Sequence, residues 1–142
     1  MREEYKNILV AVDGSEQAKK TFEEAVEVAK RNKGMLTILS VVDNKYSFGD
    51  PSFINDALKF HMNNAEIEID TLLSGSEELP EKYETSILSG SPKRKIVEYA
   101  KNHNIDLIML GSTGVGAIEK AIIGSTSSYV VNHASCNVMV VK

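Results

Sequence analysis

Tryptophan is absent and cysteine occurs once, at Cys136, in a chain of 142 residues. A lone cysteine excludes an intrachain disulfide and a cysteine zinc cluster, and it fits a reducing, cytoplasmic setting. No apolar run reaches the length of about 18 residues that a membrane span needs, so no membrane partner is expected. The opening stretch MREEYKNILVAV places two acids before a short apolar run and reads as the approach to a first strand, not as a signal peptide. Basic side chains are also in short supply, 16 against 20 acidic ones, for a formal charge of −4. That balance, with aromatics at 6% and in no regular pattern, argues against nucleic acid as the main partner. It does not exclude an anionic ligand, because a helix start can hold phosphate without net positive charge.

What remains is a chain of one-domain size, residues 1–142, with 42% hydrophobic and 25% charged residues and only 3 prolines. Ile8 to Val12 is a continuous apolar run, as expected of a strand covered on both faces. After Asp13-Gly14-Ser15, the residues Ala18, Phe22, Ala25, Val26 and Ala29 recur at helical spacing, with Ser15 as N-cap and a stop at 32–34. Met35 to Val42 predicts a second strand, 43–52 a loop, and the stretch from Phe53 to about Glu78 a long helix that ends near Ser74-Gly75. Tyr83 to Leu88 predicts a third strand near an edge. Ser91-Pro92 then starts a helix, with the serine as cap. Asp106 to Leu110, a helix from Ser125 to Asn132 and Asn137 to Val141 complete an alternation of strand and helix. Connections of this length imply an open five-stranded parallel sheet, α/β, with helices on both faces. The acids between 64 and 86, Glu68 among them, read as a solvated face.

In such a sheet, ligands bind beyond the carboxyl ends of the strands. Three segments converge there: Asp13-Gly14-Ser15, Val41-Val42-Asp43, and the stretch from Gly111 through Gly114 to Gly124-Ser125-Thr126-Ser127. Gly111 and Gly114 allow backbone to turn and approach a ligand. Gly124-Ser125 opens a helix whose free N–H groups suit phosphate, with hydroxyls on Ser125, Thr126 and Ser127. The same residues also read as turn glycines and helix caps, and Asp13 as the cap of its own turn. Neither GxxxxGK[ST] nor a GxGxxG after the first strand is present, which excludes the usual P-loop and dinucleotide sites. His61, His103 and His133 are too scattered for a metal site, and Cys136 reads as a structural thiol.

Gly111, two residues, Gly114, nine residues, Gly124 and Ser125 together resemble the loop pattern of the universal stress protein family. So do NILVAVDGSEQAKKTFEEAVEVA at the start, DLIMLGS before the loop and IIGSTSSYVVNHASCNVMVVK at the end. The resemblance spans the whole chain and points to the ATP-binding subgroup, with a Rossmann-like sheet of strand order 3-2-1-4-5. It implies Asp13 at the adenosine end, Val41 on adenine through its backbone, and Gly111 on ribose. It implies Thr113 and Gly114 by the phosphates, and Gly124, Ser125, Thr126 and Ser127 as their cradle. Mg2+ or Mn2+ bridging the phosphates is expected with the ATP. Family members often carry His at the position of Thr113, a basic residue at Val115 and Pro at Asn137; Lys120 is the next cation along the loop.

The resemblance further implies a homodimer paired through Asn137–Val141, a strand without charge that is exposed if it borders the sheet. It implies a nucleotide-responsive regulatory or stress-protective protein, with a protein partner that the sequence does not identify and with at most weak hydrolysis, since no arginine stands near the expected phosphates. Two alternatives stay open. One is a scaffold that binds partners without nucleotide. The other is an adenylyl-transfer or electron-transfer relative built on the same sheet.

Overall fold

The computed structural model describes residues 4–44, 50–113 and 123–142. Along them run β1 (Asn7–Ala11), α1 (Glu16–Asn32), β2 (Met35–Asp43), α2 (Pro51–Ser74) and β3 (Tyr83–Gly90). Then follow α3 (Pro92–Asn102), β4 (Leu107–Gly111), α4 (Ser125–His133) and β5 (Asn137–Val141). The five strands form one parallel sheet in the order β3-β2-β1-β4-β5. The α/β class, the parallel pairing and the strand order are those expected from the sequence.

Side chains alternate across the sheet and so divide the core in two. Ile8, Val10, Leu36, Ile38, Leu107 and Met109 face one way, against Phe22, Ala25 and Ala29 of α1 and Ile69 of α2. Leu9, Leu39, Ile108 and Leu110 face the other way, against Ile96 and Ala100 of α3 and Val130 of α4. Burial on both faces explains why β1 and β4 read as unbroken apolar runs rather than as alternating ones.

Local chemistry sets the element ends. The Ser15 hydroxyl accepts the Ala18 N–H at 3.1 Å, which caps α1 as expected. At the other end Lys33, not Gly34, takes the left-handed position, with φ 53°. Asn32 ties that end to the chain before β1: its Oδ1 accepts the Tyr5 N–H at 2.9 Å and its Nδ2 donates to Val28 O at 2.8 Å. Two boundaries differ from the expectation by two residues. α2 begins at Pro51 rather than Phe53, because a proline at the first helical turn loses no hydrogen bond. It ends at Ser74, at the expected Ser74-Gly75 stop, where Gly75 closes it with an N–H to Thr71 O at 3.0 Å. β3 runs two residues further than expected, to Gly90, because it pairs with the whole outer end of β2. Ser91 caps α3 through its backbone carbonyl, which accepts from Lys95 N–H at 2.8 Å; its hydroxyl makes no cap bond.

Phe22 is the bulkiest fully buried side chain, 1% exposed, whereas Phe60 on α2 is 61% exposed. Denaturant unfolding should therefore separate them. Phe22→Ala is expected to cost ~3–5 kcal/mol, and Phe60→Ala less than ~0.5 kcal/mol.

Candidate functional site

The sheet reverses its direction of growth at β1, which has β2 on one side and β4 on the other. The connections leaving β1 and β4 part there, and a crevice opens at their carboxyl ends. Its volume is about 630 Å³.

The turn after β1 forms the first wall. Gly14 has φ 82°, a conformation that costs a glycine little and other residues much. Asp13 holds this turn: its Oδ1 accepts the Ser15 N–H at 3.1 Å and the Ser15 hydroxyl at 2.6 Å. Asp13 thus does the work of a turn cap, and it also lines the crevice.

The end of β4 forms the floor. A Cβ on Gly111 would lie 2.6 Å from Gln17 Cγ and 3.3 Å from Thr21 Oγ1, so glycine here lets α1 approach the strand. Three hydrogen bonds gather around it. Ser112 N–H donates to Val141 O at 2.9 Å, Gly124 N–H donates to Ser112 O at 2.7 Å, and the Ser127 hydroxyl donates to Gly111 O at 2.5 Å. These bonds fix the start of α4 beside the end of β4. Ser127 is buried, and its hydroxyl proton is committed to that carbonyl.

The start of α4 forms the opposite wall. The first N–H of the helix with an intrahelical acceptor is that of Ser128, bonded to Gly124 O at 3.0 Å. The N–H groups of Ser125, Thr126 and Ser127 precede it and have no carbonyl four residues back within the helix. Gly124 is the N-cap and has no side chain to satisfy them. Ser125, Thr126 and Ser127 line the crevice, at the helix end that carries a partial positive charge.

Of the nine residues singled out from the sequence, eight line this one crevice: Asp13, Val41, Gly111, Thr113, Gly124, Ser125, Thr126 and Ser127. Gly114 lies outside the described residues, as do Val115 and Lys120. The structure adds a wall that sequence reasoning missed. His61, Asn64, Ala65 and Glu68 of α2 face the crevice at successive helical turns. Their spacing of three, four and seven residues is the signal that could have found them. Among the described residues that line the crevice, none is Lys or Arg.

Glu68 is exposed, as expected of a solvated face, but it has a neighbour that the expectation lacks. Its carboxyl group sits on Gly14: a Cβ added there would lie 2.7 Å from Glu68 Cδ and from both oxygens. Partial burial, and then the neighbouring charge of Asp13, push its carboxyl above the ordinary glutamate value of 4.5. The folded protein therefore holds this proton more tightly than the unfolded chain does. The contribution to stability is present at low pH and is lost as pH rises through the folded value. Glu68→Gln removes that loss. Unfolding curves should show little difference between variant and wild type below about pH 4. At pH 7 the variant should be the more stable, by less than ~1 kcal/mol because solvent screens the pair. A variant less stable at pH 7 would contradict this.

Comparison with known proteins agrees with this architecture. The model of the universal stress protein family matches residues 4–142. A protein of Staphylococcus haemolyticus (strain JCSC1435), named as a universal stress protein, is 39% identical over 97% of this chain and 85% of its own length. The crystal structure of the universal stress protein UspA from Lactobacillus plantarum superposes with a TM-score of 0.87 at 38% identity, covering 99% of this chain and all of that one. A family protein of Arabidopsis thaliana, solved with AMP bound, shares the fold at a TM-score of 0.70 and 23% identity, over 96% of this chain and 91% of its own. With fold and sequence in agreement, the chain belongs to the universal stress protein family.

Proposed function

We propose that the crevice binds ATP, and that the protein acts as a nucleotide-responsive regulatory or stress-protective protein. The observation that carries this reading is the start of α4. Three residues whose backbone N–H groups have no helical partner, Ser125, Thr126 and Ser127, line a crevice large enough for a nucleotide. In this reading Asp13 meets the ribose or adenine, Val41 offers its backbone to adenine, and Gly111 lies by the ribose. Thr113, Gly114 and the run Gly124 to Ser127 surround the phosphates. The AMP in the Arabidopsis relative supports an adenine nucleotide as the ligand class to test first.

A divalent cation, Mg2+ or Mn2+, would arrive on the phosphates rather than on a protein cluster. Among the described residues no group of three or more His, Cys, Asp or Glu converges on a metal position. The Ser125 and Thr126 hydroxyls are hard oxygen donors of the kind such an ion accepts. With dipoles rather than side-chain cations on the described phosphate wall, binding is favoured over fast phosphoryl transfer, which needs charge stabilisation in the transition state. Hydrolysis is therefore expected to be slow, and occupancy itself to carry the signal to a protein partner.

Ser125→Pro tests the helix start directly. Proline at the first helical position costs no hydrogen bond, and Gly124 already has the extended backbone that precedes proline, with φ −65° and ψ 165°. The variant loses one N–H donor and one hydroxyl, while Ser125→Ala loses only the hydroxyl. In calorimetric titration with Mg-ATP, Ser125→Pro is expected to bind about tenfold more weakly than Ser125→Ala, the worth of one hydrogen bond to a charged acceptor. Equal affinities would remove the helix start from the site. A folded wild-type protein that binds no ATP would favour the nucleotide-free scaffold.

We further propose a two-fold homodimer through β5. This strand borders the sheet, carries no charged side chain and leaves Met139 40% exposed. Light scattering of the wild type is expected to give twice the 15.6 kDa monomer mass. Met139→Asp, which sets like charges on both strands, is expected to give the monomer mass. A wild type at the monomer mass at micromolar concentration would end this proposal.

A further inference from the structure

The crevice has two walls of opposite electrical character, and they come from opposite faces of the sheet. α4 packs on the face of Leu9 and Ile108, and brings N–H groups. α1 and α2 pack on the other face, and bring the turn at Asp13 and, across it, Glu68. A ligand that spans both walls must be anionic at one end and offer hydrogen-bond donors at the other.

We propose that Glu68 makes the site selective for nucleotides whose ribose hydroxyls are free, and excludes those carrying a phosphate on the 2′ or 3′ oxygen. The proposal rests on the nucleotide reading above, in which Asp13 meets the ribose end. A ribose diol presents two O–H donors, which carboxylates accept. A ribose phosphate presents another dianion, which two neighbouring carboxylates repel. Glu68 is held where this matters, since its carboxyl group rests flat on Gly14, one residue from Asp13. Its proton affinity is raised first by partial burial and then by the neighbouring charge of Asp13. Nucleotides of the NADP and coenzyme A type carry such a phosphate and belong to the excluded class. Plain mono-, di- and triphosphates of adenosine belong to the accepted one.

The test compares affinities within one protein. ATP is titrated against the same nucleotide bearing an added phosphate on the 2′ or the 3′ oxygen, for wild type, Glu68→Gln and Glu66→Gln. Glu66 is an exposed acid on the same helix and does not line the crevice, so it controls for a general change of charge. Wild type is expected to prefer ATP by about tenfold or more, and Glu68→Gln to reduce that preference by about threefold to tenfold. Glu66→Gln is expected to keep the wild-type ratio. Added salt should narrow the preference of the wild type more than that of Glu68→Gln. An unchanged ratio in a Glu68→Gln protein that still binds ATP overturns this proposal alone. Equal loss of preference in both variants also overturns it, as a general charge effect. A wild type that binds no member of the series overturns the nucleotide reading, and this proposal with it.

Discussion

A parallel sheet has to be covered on both faces, and most of this molecule follows from that requirement. The strands at its centre carry apolar side chains up and down, with Ile8 and Val10 on one side and Leu9 on the other. Neither set can be left in water, so the chain must lay helices on each face. It does so in two instalments. α1 and α2 cover the face of Ile8, and α3 and α4 cover the face of Leu9. The change of face falls between the growth of the sheet toward β3 and its growth toward β5, on the two sides of β1. A crevice at that point is a by-product of covering the sheet.

Fold and candidate site are therefore held by the same atoms. Ser127 is the clearest case. Its hydroxyl donates to Gly111 O and its side chain is buried, so it fastens α4 to β4. Its N–H belongs to the first turn of α4, where no helical carbonyl can reach it. One residue thus secures the wall with its side chain and serves the crevice with its backbone. Asp13 is arranged in a related way, gripping Ser15 twice while bordering the same space. In both cases the structural role and the proposed ligand-facing role are compatible, because they use different atoms.

Much of this was legible in the sequence, and what was not has physical causes. The alternation of apolar runs and helical stripes fixes class and pairing, since a doubly covered strand and an amphipathic helix leave distinct periods. Asp13, Gly111 and Ser125 were legible because glycines and caps mark element ends, and element ends are where this architecture binds. α2 was harder. Its start lay in a segment of turn residues, where Pro51 reads as a breaker although it opens the helix. Its inward face is a mixture of His61, Asn64, Ala65 and Glu68, with no apolar stripe to mark it. Glu68 stands in a run of exposed acids, and a local reading cannot tell which of them also rests on a glycine more than 50 residues away. Contacts of that range depend on how helices are laid across the sheet, which local periodicity does not encode.

The net charge of −4 illustrates why a global figure says little about a local ligand. The anion binding proposed for the crevice rests on backbone N–H groups, which do not enter a count of lysines and arginines. Their field falls off within about a helical turn, and the acids of α1 and α2 belong to the other face of the sheet. The two fields can therefore coexist in one crevice without cancelling, provided that the sheet stands between the helices that carry them. It does, since α4 and α2 pack on opposite faces. A phosphate group at one wall and hydroxyl donors at the other match that separation in both sign and order. In the proposed reading, the orientation of a bound nucleotide is set by the sheet, which assigns each helix to a face, before any side chain recognises a base.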